Sequence, residues 1–286
     1  MSLSETRTSA KYLETIDLIR ATYREMRFME DQRKRADAAF MAYVRTQCGY
    51  STHLPAAERD VTLKRAKALI AGTAAEDSLA PRVEWIRAGN EAAFARFRQM
   101  EKEKELEMKK LVRSLPIWTD WAKEVRGVAE KGVGILIGEG GDPGAYLKGE
   151  SGLRKRMGIA VVDGIAQGKL LKTASKDDWI RHGYNKKRRS AMYTIGDGLV
   201  KQGDHFRAVY LARKEHERQR FRGMGYTVKP AAEIKASEKS TCISDGHVHF
   251  RAQRFMEQRL LRAYYRAWMR LMVPQTVSAP ALEVAA

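Results

Sequence analysis

Between Lys11 and Gln47 the chain runs without a single glycine or proline. A segment that long, rich in Ala, Arg, Glu and Met, contains nothing that interrupts an i→i−4 hydrogen-bond ladder, so it predicts one continuous helix. Apolar residues fall at Ile16, Ile19, Tyr23 and Met26, and again at Ala36, Phe40 and Val44. That spacing of three and four makes one face apolar, and Gly49 supplies the stop. At about 1.5 Å per residue such a helix exceeds 50 Å. A shorter helix is expected from about Ala56 to Ala71, ended by Gly72. A third follows from about Pro81 to Ser114, with Val83, Ile86, Phe94 and Phe97 on one face. Its stretch Met100 to Lys110, MEKEKELEMKK, is almost wholly charged and must be solvated on most sides. Two long helices with patchy apolar stripes predict an antiparallel coiled-coil arm over residues 1–114, of a kind that pairs protomers.

Composition changes at Ser114-Leu115-Pro116, where the domain boundary is expected. Met1 to Asp120 holds 22 basic and 18 acidic residues, whereas the rest of the chain holds 31 and 17. A surplus gathered into one half is the electrostatic footprint of a polyphosphate partner, and the formal charge of +18 far exceeds what solubility needs. The reading is therefore a mainly α protein: the helical arm, a compact basic helical domain over 115–273, and a disordered tail over 274–286.

The basic domain opens with WTDWAKEVRGVAEKGVGILIGEGGD, Trp118 to Asp142. It reads as a short helix, a tight Gly127-Val128-Ala129 turn and a second helix, the outline of a helix-hairpin-helix. Glycine permits close backbone approach, and amides at a helix N-terminus meet phosphate, with Arg126 and Lys131 flanking. A short helix over Ser151 to Gly158 would carry Arg154, Lys155 and Arg156. The run Lys186-Lys187-Arg188-Arg189 at the start of another helix would repel itself without phosphates to contact. A helix from about Asp204 to Arg222 brings Arg207, Lys214, Arg218 and Arg222 near one face. The last helix, about His247 to Met272, buries Leu261, Tyr264, Trp268 and Leu271 and presents Arg259, Arg262, Arg266 and Arg270 on the opposite side. The tryptophans Trp118, Trp121, Trp179 and Trp268 read as packing residues.

Val125-Arg126-Gly127-Val128-Ala129, then ILIGEGGD, Gly158-Ile159, Ser175-Lys176 and Arg188-Arg189 before a helix form a recognisable series. It resembles the C-terminal domain of the bridge-RNA-guided DEDD/serine insertion-sequence transposases, the "one-ten" family, over roughly Val125 to Leu199. The resemblance implies a helical domain that binds DNA or guide RNA, in a mobile-element setting. That family carries an N-terminal resolvase-like domain with four Mg²⁺-holding carboxylates, for which the helical first 120 residues here offer no counterpart. It also places a nucleophilic serine where this chain has Asp163-Gly164-Ile165-Ala166-Gln167-Gly168-Lys169. Ser175 and Ser190 are the nearby hydroxyls.

The expected function is thus a non-catalytic DNA-binding protein that needs no cofactor and forms a homo-oligomer through its N-terminal helices. Two alternatives stand beside it. One is an active strand-transfer enzyme using Ser175 or Ser190, with Mg²⁺ held by a partner chain; the other is an accessory subunit for structured RNA. Cys242, Asp245, His247 and His249 match no zinc spacing, and the glycines from Gly132 to Gly141 follow neither a Walker A nor a dinucleotide order. Two distant cysteines, no secretory signal and no membrane-length apolar run make the cytoplasm the expected compartment, with the nucleoid as the bacterial site.

Overall fold

The computed structural model describes residues 8–171 and 173–274, and the expected tail beyond Pro274 lies outside them. The protein is mainly helical, 73% of it in helices and 4% in strands. Two compact units divide it: Thr22–Glu107, and the chain up to Ala21 together with Met108 onward. This division differs from a boundary at Ser114. The composition shift there marks only where a helix ends, whereas α1 (Ala10–Gln47) and α3 (Ala80–Arg113) continue unbroken across the limits of both units.

In the Thr22–Glu107 unit, α1 and α3 run antiparallel, tied by Arg33–Glu101 at 3.1 Å and Lys104–Glu25 at 2.8 Å. Helix α2 (Ala56–Ile70) closes the end of the pair. Val44, Cys48, Ala66, Leu69 and Val83 make a small core there, bordered by Phe40, Tyr43 and Leu79. Arg65 spans to Asp77 at 2.6 Å and holds that carboxyl at about 2.

The larger unit is built around its last helix. In chain order it contains α4 (Pro116–Thr119), a 3₁₀ turn at Ala122–Glu124, α5 (Ala129–Gly140) and α6 (Gly149–Arg156). The hairpin β1 (Val161–Val162) and β2 (Ile165–Ala166) follows, then α7 (Lys176–His182), α8 (Lys186–Gln202) and α9 (His205–Gly223). Strands β3 (Thr227–Lys229) and β4 (Cys242–Ser244), paired in parallel, lead into α10 (Asp245–Leu271). Helix α10 is the axis: Val248, Ala252, Met256, Leu260, Leu261, Tyr264 and Trp268 are all buried, and α9, α8 and α6 pack on it.

Two corrections to the sequence reading concern local structure. The expected helix from Trp118 is a single α turn followed by a 3₁₀ turn. Ile117 and Ala122 are buried on it, so packing rather than a helical ladder sets its path. Residues 161–166, unassigned from sequence, form a hairpin. Asp163 and Gly164 both take positive φ, 50° and 77°, as a two-residue turn between twisted strands requires.

Small residues bring the α5 region close to its neighbours. Gly127, at φ 92°, lies against the backbone of α8, where a Cβ would meet the Gly198 carbonyl oxygen at 2.9 Å. Gly134 leaves room for Met108, whose sulfur a Cβ would approach to 2.6 Å. At the far end Trp268 donates its indole N–H to Thr8 Oγ1 and Asp142 Oδ1, at 2.9 and 3.0 Å, while Ser9 N–H donates to the Met272 carbonyl. Thr8 and Ser9 are thereby fixed to the end of α10.

Candidate nucleic-acid interface

Helices α9 and α10 run antiparallel, which puts different chemistry on the two sides of their seam. On one side Lys214 and Arg218 of α9 clamp Asp245, the first residue of α10, at 3.0 and 2.6 Å. Hydrogen bonds from Arg218 and Lys214 hold the Asp245 carboxyl below its usual range. Beside them the Tyr210 hydroxyl meets His249 Nδ1 at 2.9 Å. Sequence reading put Lys214 and Arg218 among the nucleic-acid contacts; the structure places them in this clamp, because their partner comes from the next long helix.

On the other side of the seam, two adjoining clefts open. The first, about 800 Å³, is bordered by Arg126, Arg259, Arg262 and Arg266, with Trp121, Phe206 and His216 in its wall. The second, about 820 Å³, lies between α8 and α10 and is bordered by Lys186, Arg189, Arg251 and Arg254, with Tyr193 and Phe250. Arg213 and Phe255 line both. There the Phe255 ring meets two guanidiniums, Arg213 at 4.6 Å and Arg259 at 5.0 Å from its centroid. Each such contact is worth about 0.5–1 kcal/mol at an exposed site, and together they keep both arginines along the seam.

Charge is unevenly compensated along these clefts. Glu124 and Asp204 face the five arginines of the first, and Asp204 pairs with Arg126 at 3.3 Å. In the second, six lysines and arginines line the wall with one carboxylate, Glu217. Glu217 is buried; burial pushes its carboxyl up, but Arg251 at 2.8 Å and Arg213 more than offset that and hold it low. Behind the wall Glu257, also buried, pairs with Arg189 at 2.8 Å. Burial dominates here and raises the Glu257 carboxyl to about 7, against the pull of Arg189 and Arg254.

The structure splits the cation run Lys186–Arg189 by helical rotation. Lys186 and Lys187 are exposed, Arg188 turns back to Glu139 of α5 at 3.5 Å, and Arg189 is half-buried on Glu257. The run thus consists of two exposed lysines and two half-buried arginines that each face a carboxylate. In α6, Arg154 pairs with Glu150 at 3.4 Å, Arg156 donates to the Glu139 carbonyl at 3.0 Å, and Lys155 is half-buried. Lys131 is half-buried in the first turn of α5, and Gly127 is spent on contact with α8. Arg222 is exposed in the last turn of α9. On α10, Arg259, Arg262, Arg266 and Arg270 are exposed while Leu261, Tyr264 and Trp268 are buried. Arg262 also reaches Glu150 at 3.6 Å.

The hydroxyl candidates separate clearly. Ser175 caps α7, accepting from the Asp178 N–H while the Asp178 carboxylate accepts from the Ser175 N–H and Oγ–H. Ser190 is exposed and lines the second cleft. Cys242 is buried in β4, His247 packs on Phe221 with ring centroids 5.6 Å apart, and Asp245 is the clamp. Among the described residues no three His, Cys, Asp or Glu side chains converge as a metal site would need.

No protein-family model, curated protein or solved structure matches this chain. Sequence reading missed Lys169, Arg213, Arg251 and Arg254 as wall residues, and Tyr193, Phe250 and Phe255 beside them. A signal was present: extending the Arg259–Arg270 stripe backward by threes and fours along the same helix arrives at Phe255, Arg254 and Arg251.

Proposed function

We propose that this chain is a non-catalytic DNA-binding protein that holds duplex DNA by phosphate contacts along the open side of α9 and α10. The observation that carries the reading is the row Arg259, Arg262, Arg266 and Arg270, exposed on a helix whose opposite face is the core of the unit. Over these residues the helix rises about 16 Å at ~1.5 Å per residue. A duplex presents a charge about every 1.7 Å along its axis, so neighbouring phosphates can engage the row together. The first cleft, with Arg126 at its edge, extends the positive surface beyond the helix. No cofactor is needed for such a grip. The resemblance to the C-terminal domain of the insertion-sequence transposases supports a mobile-element setting, and also keeps structured RNA as the competing polyphosphate.

Binding of a labelled duplex measured across a salt series tests this: affinity should fall steeply between about 50 and 200 mM, as counterion release requires. A flat response sinks the reading, and preferential binding of structured RNA over duplex redirects it to an RNA-binding subunit. Ser190, in the wall of the second cleft, supports the alternative of an active strand-transfer enzyme. Strand cleavage by the wild type that Ser190→Ala abolishes, with DNA binding intact, would establish it. The helices of the Thr22–Glu107 unit would pair protomers, since Phe28, Trp85 and Leu106 stand exposed on them. Light scattering at several concentrations reads that directly.

A further inference from the structure

The second cleft differs in kind from the arginine row. Exposed guanidiniums suit phosphates that remain on a duplex surface, whereas about 820 Å³ of concave space admits a whole small group. Its lining is also of two sorts. Tyr193 of α8 and Phe250 of α10 stand 36% and 54% exposed, their ring centroids 6.1 Å apart. Large aromatic faces left in contact with water beside a cleft are surfaces for something flat to cover.

The cations of the cleft divide as well. Glu257 pairs with Arg189, and the single carboxylate of Glu217 is shared by Arg251 and Arg213. Arg254 is half-buried and shares the single charge of Glu257 with Arg189, while Lys186 is exposed at the edge of the cleft. Burial, then the neighbouring Arg189, disfavours the Arg254 cation, so an anion arriving there would relieve an existing cost. A ligand matching both halves carries a negative charge and a flat aromatic group, which is the make-up of a nucleotide.

We propose that the cleft between α8 and α10 receives one unpaired nucleotide of a nucleic-acid strand, its base on Tyr193 and Phe250 and its phosphate on Arg254 and Lys186. The two clefts share Arg213 and Phe255 in their walls, so a strand leaving the second continues onto the cations that border the first. That continuity favours a strand over a free mononucleotide. Stacking is tolerant of base identity because every base has a π face, so little sequence preference is expected. The inference rests on the nucleic-acid reading above, but on different residues.

The test uses the full chain and two probes: a short oligothymidine carrying one 2-aminopurine, and a blunt duplex. Binding of the single strand should quench the 2-aminopurine, as stacking on an aromatic ring does. Phe250→Ala should abolish the quench and weaken the single strand about 10-fold, and Arg254→Gln should weaken it by a similar factor. Blunt-duplex affinity should stay within about twofold in both variants. Phe250 is exposed, so its truncation keeps the test valid even where Arg254→Gln lowers the unfolding temperature. Absence of the quench in the wild type overturns the inference, as do equal losses on both probes or displacement of the strand by equimolar AMP. A wild type that quenches the single strand yet ignores the duplex would remove the duplex reading and leave the cleft assignment standing. Arg262→Gln with Arg266→Gln should weaken the duplex, while a saturating single strand still shows the full quench.

Discussion

Gly127 and Gly198 meet backbone to backbone: a Cβ on Gly198 would lie 2.8 Å from the Gly127 carbonyl oxygen, and one on Gly127 would lie 2.9 Å from that of Gly198. Neither neighbour is a flexible side-chain end, so neither can give way cheaply. This contact sets the loop before α5 directly on α8. Gly198→Ala should destabilise the unit by about 2 kcal/mol, as overpacking does. Gly127→Ala should cost about 1 kcal/mol more, because its φ of 92° is also unfavourable for a side chain. Thermal unfolding of both variants checks the order, and an unchanged midpoint in Gly198→Ala would show the contact to be looser than described.

The arginine row and the Asp245 clamp should separate in a salt titration. Changing Arg259, Arg262, Arg266 and Arg270 together to Gln should reduce the slope of log K against log salt by about 3 to 4, roughly 0.9 per phosphate contact. Lys214→Gln with Arg218→Gln should leave that slope nearly unchanged and lower the unfolding midpoint, since these side chains hold Asp245. Equal slope changes in the two variants would place the clamp in the interface.

Two buried carboxylates should pull the pH dependence of stability in opposite directions. Glu257 is raised to about 7 by burial, so the folded state favours its proton. Its stabilising contribution is complete below the ordinary carboxyl range, near 4.5, and is lost as pH rises through about 7. The difference amounts to no more than about 3 kcal/mol. Glu217 is held low by Arg251 and Arg213, so its contribution is present above the ordinary range and lost as pH falls. Glu257→Gln should therefore flatten the stability profile between about pH 4.5 and 7. Denaturant unfolding across that range measures it, and a wild-type profile with no fall toward pH 7 would contradict the raised carboxyl.

Thr8 links the first described residues to the indole of Trp268 and to Asp142. Thr8→Ala removes a hydroxyl that is almost completely buried and should cost about 1–2 kcal/mol. Asp142 accepts from the Thr8 hydroxyl, the Trp268 indole and the Gly144 N–H, so Asp142→Ala leaves more donors unpaired and should cost more. Denaturation midpoints of the two variants give the comparison.

The helix limits were legible in the sequence because the residues that set them act locally. Gly49 and Gly72 take positive φ where α1 and α2 stop, at 80° and 71°. The two faces of α10 were equally legible: spacing alone separated the buried Leu261, Tyr264 and Trp268 from the exposed Arg259, Arg262, Arg266 and Arg270. The β1–β2 hairpin had a local signal too, Asp163-Gly164 between apolar pairs, but strands of two residues carry no readable alternation.

What each cation does was decided by the tertiary structure. Arg188 and Arg189 look alike beside Lys186 and Lys187, yet one belongs to Glu139 and the other to Glu257, carboxylates far away in the chain. The same holds for Lys214 and Arg218 with Asp245, and for the glycine pair at 127 and 198. Helical propensity and amphipathic spacing are properties of a segment, fixed by residues three and four apart. Charge neutralisation and close approach depend on which segments meet through space, so the sequence determined the helices and their faces, and the packing of α8, α9 and α10 decided which charges were left for a ligand.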